Sequence, residues 1–111
     1  MISNIFHPIG ASAATPASQA NGAVTASVTQ ITLPTLPGTQ GTRDVVYRFV
    51  VDGPQSIAWA YGANGNLTLS NGVFMLGNTV ETFLVPQGTT TISVIAAATG
   101  STLRLIPGDG Q

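Results

Sequence analysis

The chain has 111 residues, of which 43% are hydrophobic and only 6% are charged: three arginines, no lysine and four carboxylates, for a formal net charge of −1. Soluble globular chains average about 25% charged residues, so the cations that would neutralise a run of phosphates or hold an anionic membrane surface are missing. The absence of cysteine excludes disulfide frameworks, thiolate zinc sites and thiol nucleophiles. A mean hydropathy of +0.34 argues against a wholly disordered chain, and no apolar run is long enough to form a membrane-spanning helix.

Residues 1–22 read as an extended N-terminal arm. Ile2, Ile5, Phe6 and Ile9 make an apolar tip, and residues 10–22, rich in Ala, Ser and Thr with Pro16, make a stem without periodicity. A first strand over 4–9, packed on its own domain, is the other reading. A secretory signal is not expected, because the start carries no basic residue and His7-Pro8 interrupts the apolar run, although Ala11-Ser12-Ala13 resembles a cleavage box.

Residues 23–111 read as one β domain. Val24, Ala26 and Val28 share one parity while Ile31 and Leu33 share the other, so the phase changes near Thr29-Gln30, through a bulge or through two short strands. Pro34 and Pro37 make the stretch around them a loop. The clearest strand covers 44–51, with Val45, Tyr47, Phe49 and Val51 on one face and Val46, Arg48 and Val50 on the other. After the turn Asp52-Gly53-Pro54-Gln55, residues 56–61 place Ile57, Trp59 and Tyr61 on one side. A turn over 62–66 leads to an expected strand over 67–70, an Asn71-Gly72 hairpin signal and a strand over 73–76. Further strands are expected over 79–85, 90–98 and 101–106, with residues 107–110 ending the chain as a turn. About eight short strands without a helical stripe predict an all-β fold: an antiparallel β-sandwich or barrel, jelly-roll-like.

Apolar residues on both faces of 44–51 mean that the strand is either covered on both sides or lies partly at a subunit contact. The second is preferred, so Val46 and Val50 are candidate contacts. Arg43 and Arg48 join them. In so uncharged a surface an arginine serves either as an anchor to a neighbour's carbonyl or carboxylate or as a local surface partner of Asp44. Ile2, Ile5 and Phe6 of the arm complete the set.

Catalytic chemistry finds little to work with. His7 sits beside Pro8 in the arm, away from any rigid serine–base pair, and nothing selects two of Asp44, Asp52, Glu81 and Asp109 as a glycosidase pair. One histidine without cysteine makes no ordinary zinc site, and Asp52 and Asp109 read as turn residues rather than calcium ligands. Residues 62–65 are followed by neither a lysine nor a helix, so they make no phosphate loop. Asn66-Leu67-Thr68 is a sequon of the kind that arises by chance, and Thr89-Thr90-Thr91 lacks the repeat of an ice-binding array. The expectation is a protein that is not an enzyme and holds no cofactor or metal.

In the last third, Gly77-Asn78-Thr79-Val80-Glu81-Thr82-Phe83, Val85-Pro86-Gln87-Gly88-Thr89-Thr90 and the run from Ile92 to Arg104 resemble small structural proteins of tailed bacteriophages, most of all the capsid-decoration, or cement, type. The likeness spans roughly residues 43–106 and rests on strand and turn patterns. It implies a β-sandwich bound to the outside of the head, often a trimer or dimer, that reinforces joints between capsid subunits through terminal arms and sheet edges. It implies the major capsid protein or another virion protein as partner; the scarcity of cations already argues against nucleic acid and membrane. The alternative is another phage module, such as a head-fibre base, a tail or connector component or a glycan-binding tip, in which Trp59 and Tyr61 would stack on sugar; alternation with Ala58 and Ala60 fits core positions better.

Overall fold

The structure, a computed structural model, describes residues 7–8, 20–33 and 45–109. Among these residues there is no helix. Nine strands form two antiparallel sheets: β1 (His7–Pro8), β2 (Ala20–Val24), β3 (Thr29–Thr32), β4 (Val45–Asp52), β5 (Ile57–Tyr61), β6 (Val73–Met75), β7 (Val80–Val85), β8 (Thr91–Ala96) and β9 (Ser101–Asp109). One sheet runs β9-β4-β7, with β1 and β2 sharing the far side of β9; the other runs β3-β8-β5-β6. We call them the β4 sheet and the β5 sheet.

The topology is a long antiparallel ribbon rolled up on itself. Strands β2, β3, β4 and β5 pair in order with β9, β8, β7 and β6. The β4–β9 and β5–β8 ladders then close the roll. This is the jelly-roll arrangement of a double-sheet sandwich, as the spacing of turn residues leads one to expect.

The hydrophobic residues dictate the roll by their alternation. On β4, Tyr47, Phe49 and Val51 are buried between the sheets, opposite Ile57 and Trp59 of β5, Ile92 and Val94 of β8 and Met75 of β6; Leu103 and Leu105 of β9 complete the layer. Phe49 stacks on Trp59 with ring centroids 4.5 Å apart, and Phe83 meets both rings edge-on at 5.0 and 4.9 Å. Such tilted contacts add to area burial. Burial raises the Tyr47 hydroxyl to a pKa of about 12.

Three differences from the sequence expectations have physical causes, while the phase change before Ile31 resolves as one of its two expected readings, two short strands, which lie in different sheets. Between them the Thr25 carbonyl accepts the Ala96 N–H at 2.9 Å, and the Thr25 hydroxyl accepts the Ser27 N–H. The boundary at residue 22 falls inside β2, whose Ala20, Asn21 and Gly22 pair with Leu105, Arg104 and Leu103. No strand forms over 67–70, and Asn71-Gly72 makes no hairpin. There the Asn71 side chain accepts from Thr68 N–H and donates to the Asn66 carbonyl, holding the segment as a folded loop.

Finally, β9 runs on through Pro107 to Asp109. Val51 N–H donates to the carbonyl of Thr79, its opposite number. In an antiparallel ladder this fixes the odd residues of β4 as bonded to β7 and the even ones as bonded to β9. Pro107 lies opposite Tyr47, so its ring nitrogen points away from β4. On that side, among the described residues, β1 pairs no further than Gly108 and β2 begins at Leu105, so proline's missing donor leaves no described ladder bond unmade.

Candidate interaction surfaces

The two sheets present different outer faces. On the β4 sheet, cross-strand pairing sets Val46 beside Leu84, Arg48 beside Thr82 and Val50 beside Val80 on one flank, with Arg48 beside Ile106 and Val50 beside Arg104 on the other. Val46, Arg48 and Val50, the candidate contacts on β4, therefore share one face. Val46 and Val50 are half-buried by their neighbours, whereas Val80 is 56% and Leu84 52% exposed. The result is an outward apolar stripe interrupted by arginine. Arg43, Ile2, Ile5 and Phe6 lie outside the described residues.

Sequence reading missed Val80, Leu84 and Ile106 as members of this face. Strand β7 has apolar residues at both parities (Val80 and Leu84 outward, Phe83 and Val85 inward), the same signal that singled out Val46 and Val50. The ion pair described on this face joins Arg104 and Asp52, with Nε and Nη2 each 3.1 Å from Oδ2. Both groups are exposed, which makes the pair a weak contributor to stability. No local spacing announces it, since the partners come from β4 and β9.

The β5 sheet covers the part of its outer face over β5 and β8 with its own chain, while Phe74 of β6, on the same face as Ala58, stays 52% exposed. Ala58 and Ser93, which face outward, are fully buried because the loop over 62–72 folds across them. Leu67, 2% exposed, is the plug. A side chain on Gly72 would meet Leu67 Cδ1 at 2.7 Å and Ala58 Cβ at 3.2 Å, so only glycine lets the loop lie this close. The Ser93 hydroxyl accepts the Asn64 N–H at 2.8 Å and donates to the Gly62 carbonyl at 2.7 Å, fastening the loop from beneath. A buried hydroxyl must be bonded in this way to avoid a desolvation penalty.

The loops at one end of the sandwich are interlocked. Asn78, in the left-handed region at φ 56°, accepts the Gly53 N–H through Oδ1, and its own N–H donates to the Gly53 carbonyl. The Ser101 hydroxyl accepts from Gln55 N–H and donates to the Gln55 carbonyl, both at 2.9 Å. Asp52, read as a turn residue, is the last residue of β4.

Trp59 is 1% exposed and cannot stack on a sugar, whereas Tyr61 is 42% exposed and its hydroxyl donates to the Leu84 carbonyl at 2.6 Å. Among the described residues no three of His, Cys, Asp and Glu come together as a metal-binding group. Comparison with protein-family models, curated proteins and solved structures finds no match to this chain.

Proposed function

We propose that the chain is a non-enzymatic structural protein of a virion that binds the outer surface of a tailed-phage capsid and stabilises it, with the major capsid protein or another virion protein as its partner. The observation that carries this reading is the outer face of the β4 sheet, where Val46, Val50, Val80 and Leu84 form an apolar stripe that no described segment crosses, whereas the loop over 62–72 covers Ala58 and Ser93 on the other sheet. The resemblance over roughly residues 43–106 supplies the class of partner. The jelly roll, an architecture of capsid and lectin domains, agrees with it.

A contact made largely of methyls, hydroxyls and amides strands few ions when buried, so a chain with 6% charged residues is suited to docking at little cost in buried charge. Each copy contributes a modest contact, and repetition over a symmetric shell multiplies it. The glycan-binding alternative loses its main ring, since Trp59 belongs to the core.

The test is co-sedimentation of the purified chain with expanded, DNA-free heads of the phage that carries it. Binding is expected to persist in high salt and to fall tenfold or more in Val46→Ser/Val50→Ser. A folded wild-type chain that stays in the supernatant, or attachment that collapses as ionic strength rises, overturns the reading.

A further inference from the structure

The β7 edge of the β4 sheet carries a pattern of its own. Among the described residues β7 ends its sheet, with β4 on one side and no strand on the other. The Val51-to-Thr79 hydrogen bond fixes Glu81, Phe83 and Val85 as the residues bonded to β4. The N–H and C=O groups of Val80, Thr82 and Leu84 therefore point outward along the edge. The Tyr61 hydroxyl reaches the Leu84 carbonyl from this open side, which agrees with the assignment and leaves that oxygen one lone pair. All three residues are exposed.

We propose that a second copy of this chain pairs along β7, antiparallel about a two-fold axis through Thr82, so that the β4 sheet runs continuously through both copies. The sequence of the strand selects this occupant and this register. With Thr82 opposite its own counterpart, Val80 lies opposite Leu84 of the second copy and Leu84 opposite its Val80. Every outward backbone group of the strand then finds a partner. Both apolar pairs fall on the outer face, where Val80 and Leu84 are 56% and 52% exposed in the single chain. Cross-strand apolar pairs and Thr–Thr pairs are favourable neighbours.

The neighbouring registers are worse for identifiable reasons. An axis at Glu81 sets two carboxylates directly opposite each other, which is destabilising, and uses only Val80 and Thr82. An axis at Phe83 brings Val80 against Pro86, which has no N–H to give. In the register centred on Thr82, Glu81 faces Phe83 of the other copy, so the charge on the edge permits one alignment and disfavours the next. Isologous pairing of this kind closes on itself and leaves no further β7 edge to propagate. The proposal does not rest on capsid attachment; it concerns the chain alone in solution.

Sedimentation equilibrium of the whole chain, raised into the high-micromolar range, is expected to show twice the 11.3 kDa monomer mass. Thr82→Lys and Thr82→Glu, each placing like charges opposite one another on the axis, are expected to sediment as monomers, and an equimolar mixture of the two to recover the dimer. Circular dichroism and the emission of buried Trp59 establish that each variant is folded. Because the chain has no cysteine, Thr82→Cys offers a second measurement. Directly bonded antiparallel partners have Cα atoms about 5.5 Å apart, within disulfide reach, so Thr82→Cys is expected to oxidise to a covalent dimer. Val80→Cys, far from its own counterpart in this register, is expected to oxidise only when mixed with Leu84→Cys. A wild-type chain that remains monomeric, or an oligomer that Thr82→Lys and Thr82→Glu leave intact, overturns the proposal.

Discussion

The outer faces of the two sheets solve the same problem in different ways. Both carry more apolar surface than water favours. Over β5 and β8 the chain covers itself: Leu67 seals Ala58, and Ser93 ties the loop down through Asn64 and Gly62, leaving Phe74 of β6 exposed at the edge. On the β4 sheet no described segment lies over Val46, Val50, Val80 and Leu84, which share their face with Arg48, Thr82 and the Arg104–Asp52 pair. In the proposed reading, the covered part of the β5 sheet serves the stability of the domain and the β4 face its associations. Substitutions should separate the two.

The largest effect is expected at the plug. Leu67→Ala removes a buried side chain from the covered face and should cost about 2–4 kcal/mol, read as a lower urea midpoint with unchanged slope; a loss below 1 kcal/mol would mean that the loop is not part of the core.

The core shared by both faces can be tested with alkali. Burial holds the native Tyr47 hydroxyl at about 12, against 10.0 for the ordinary side chain. Below the lower value both states keep the proton, and stability does not depend on this group. Between the two values the unfolded chain ionises while the native one does not, so stability falls as pH rises. Urea midpoints taken through this window should fall, and Tyr47→Phe should flatten most of the decline. Tyr61, also raised by burial, accounts for a remainder.

A smaller loss, about 1–2 kcal/mol, is expected for Ser93→Ala, which leaves the Asn64 N–H and Gly62 carbonyl beneath the loop without their bonds. Proteolysis within 62–72 should quicken in that variant while the β4 sheet keeps its protection from hydrogen exchange.

The smallest effect on stability belongs to the bare face. Val46→Thr/Val50→Thr should change the unfolding free energy by no more than about 1 kcal/mol, as surface substitutions do, yet weaken attachment to heads. If the double variant unfolds as readily as Leu67→Ala, the two faces are not divided as described.

Much of this architecture is legible in the sequence because alternation survives in the strands that build the core. Tyr47, Phe49 and Val51, then Ile57 and Trp59, then Ile92 and Val94 announce the buried parity, and Val46, Arg48 and Val50 announce the opposite one. The folded loop is not legible for an equally definite reason. Leu67 and Leu69 alternate as a strand would, and Asn71-Gly72 is a hairpin signal, but Asn71 spends its side chain on Thr68 and Asn66 instead. A local signal is overridden by what the segment covers. The Arg104–Asp52 pair and the placement of Pro107 were equally out of reach, since each depends on which strand lies alongside, something local spacing does not encode. The proposed interaction face is half visible: its β4 residues stand out, and its β7 residues need the register to be known.

The pairing of β2 with β9 has a consequence for how the chain comes to be folded. Ala20 meets Leu105 and Val24 meets Ser101, so the first of these two segments to leave the ribosome waits for the other, far along the chain. Strand β4 waits as well, because β9 forms its other ladder. Pairings between such distant segments form slowly, and until they form the core-facing side chains of β4 stay accessible to other nascent chains. A chain with 6% charged residues has little repulsion to keep such intermediates apart. Its yield in a cell should therefore respond to growth temperature and chaperone supply more than the stability of the finished domain would suggest.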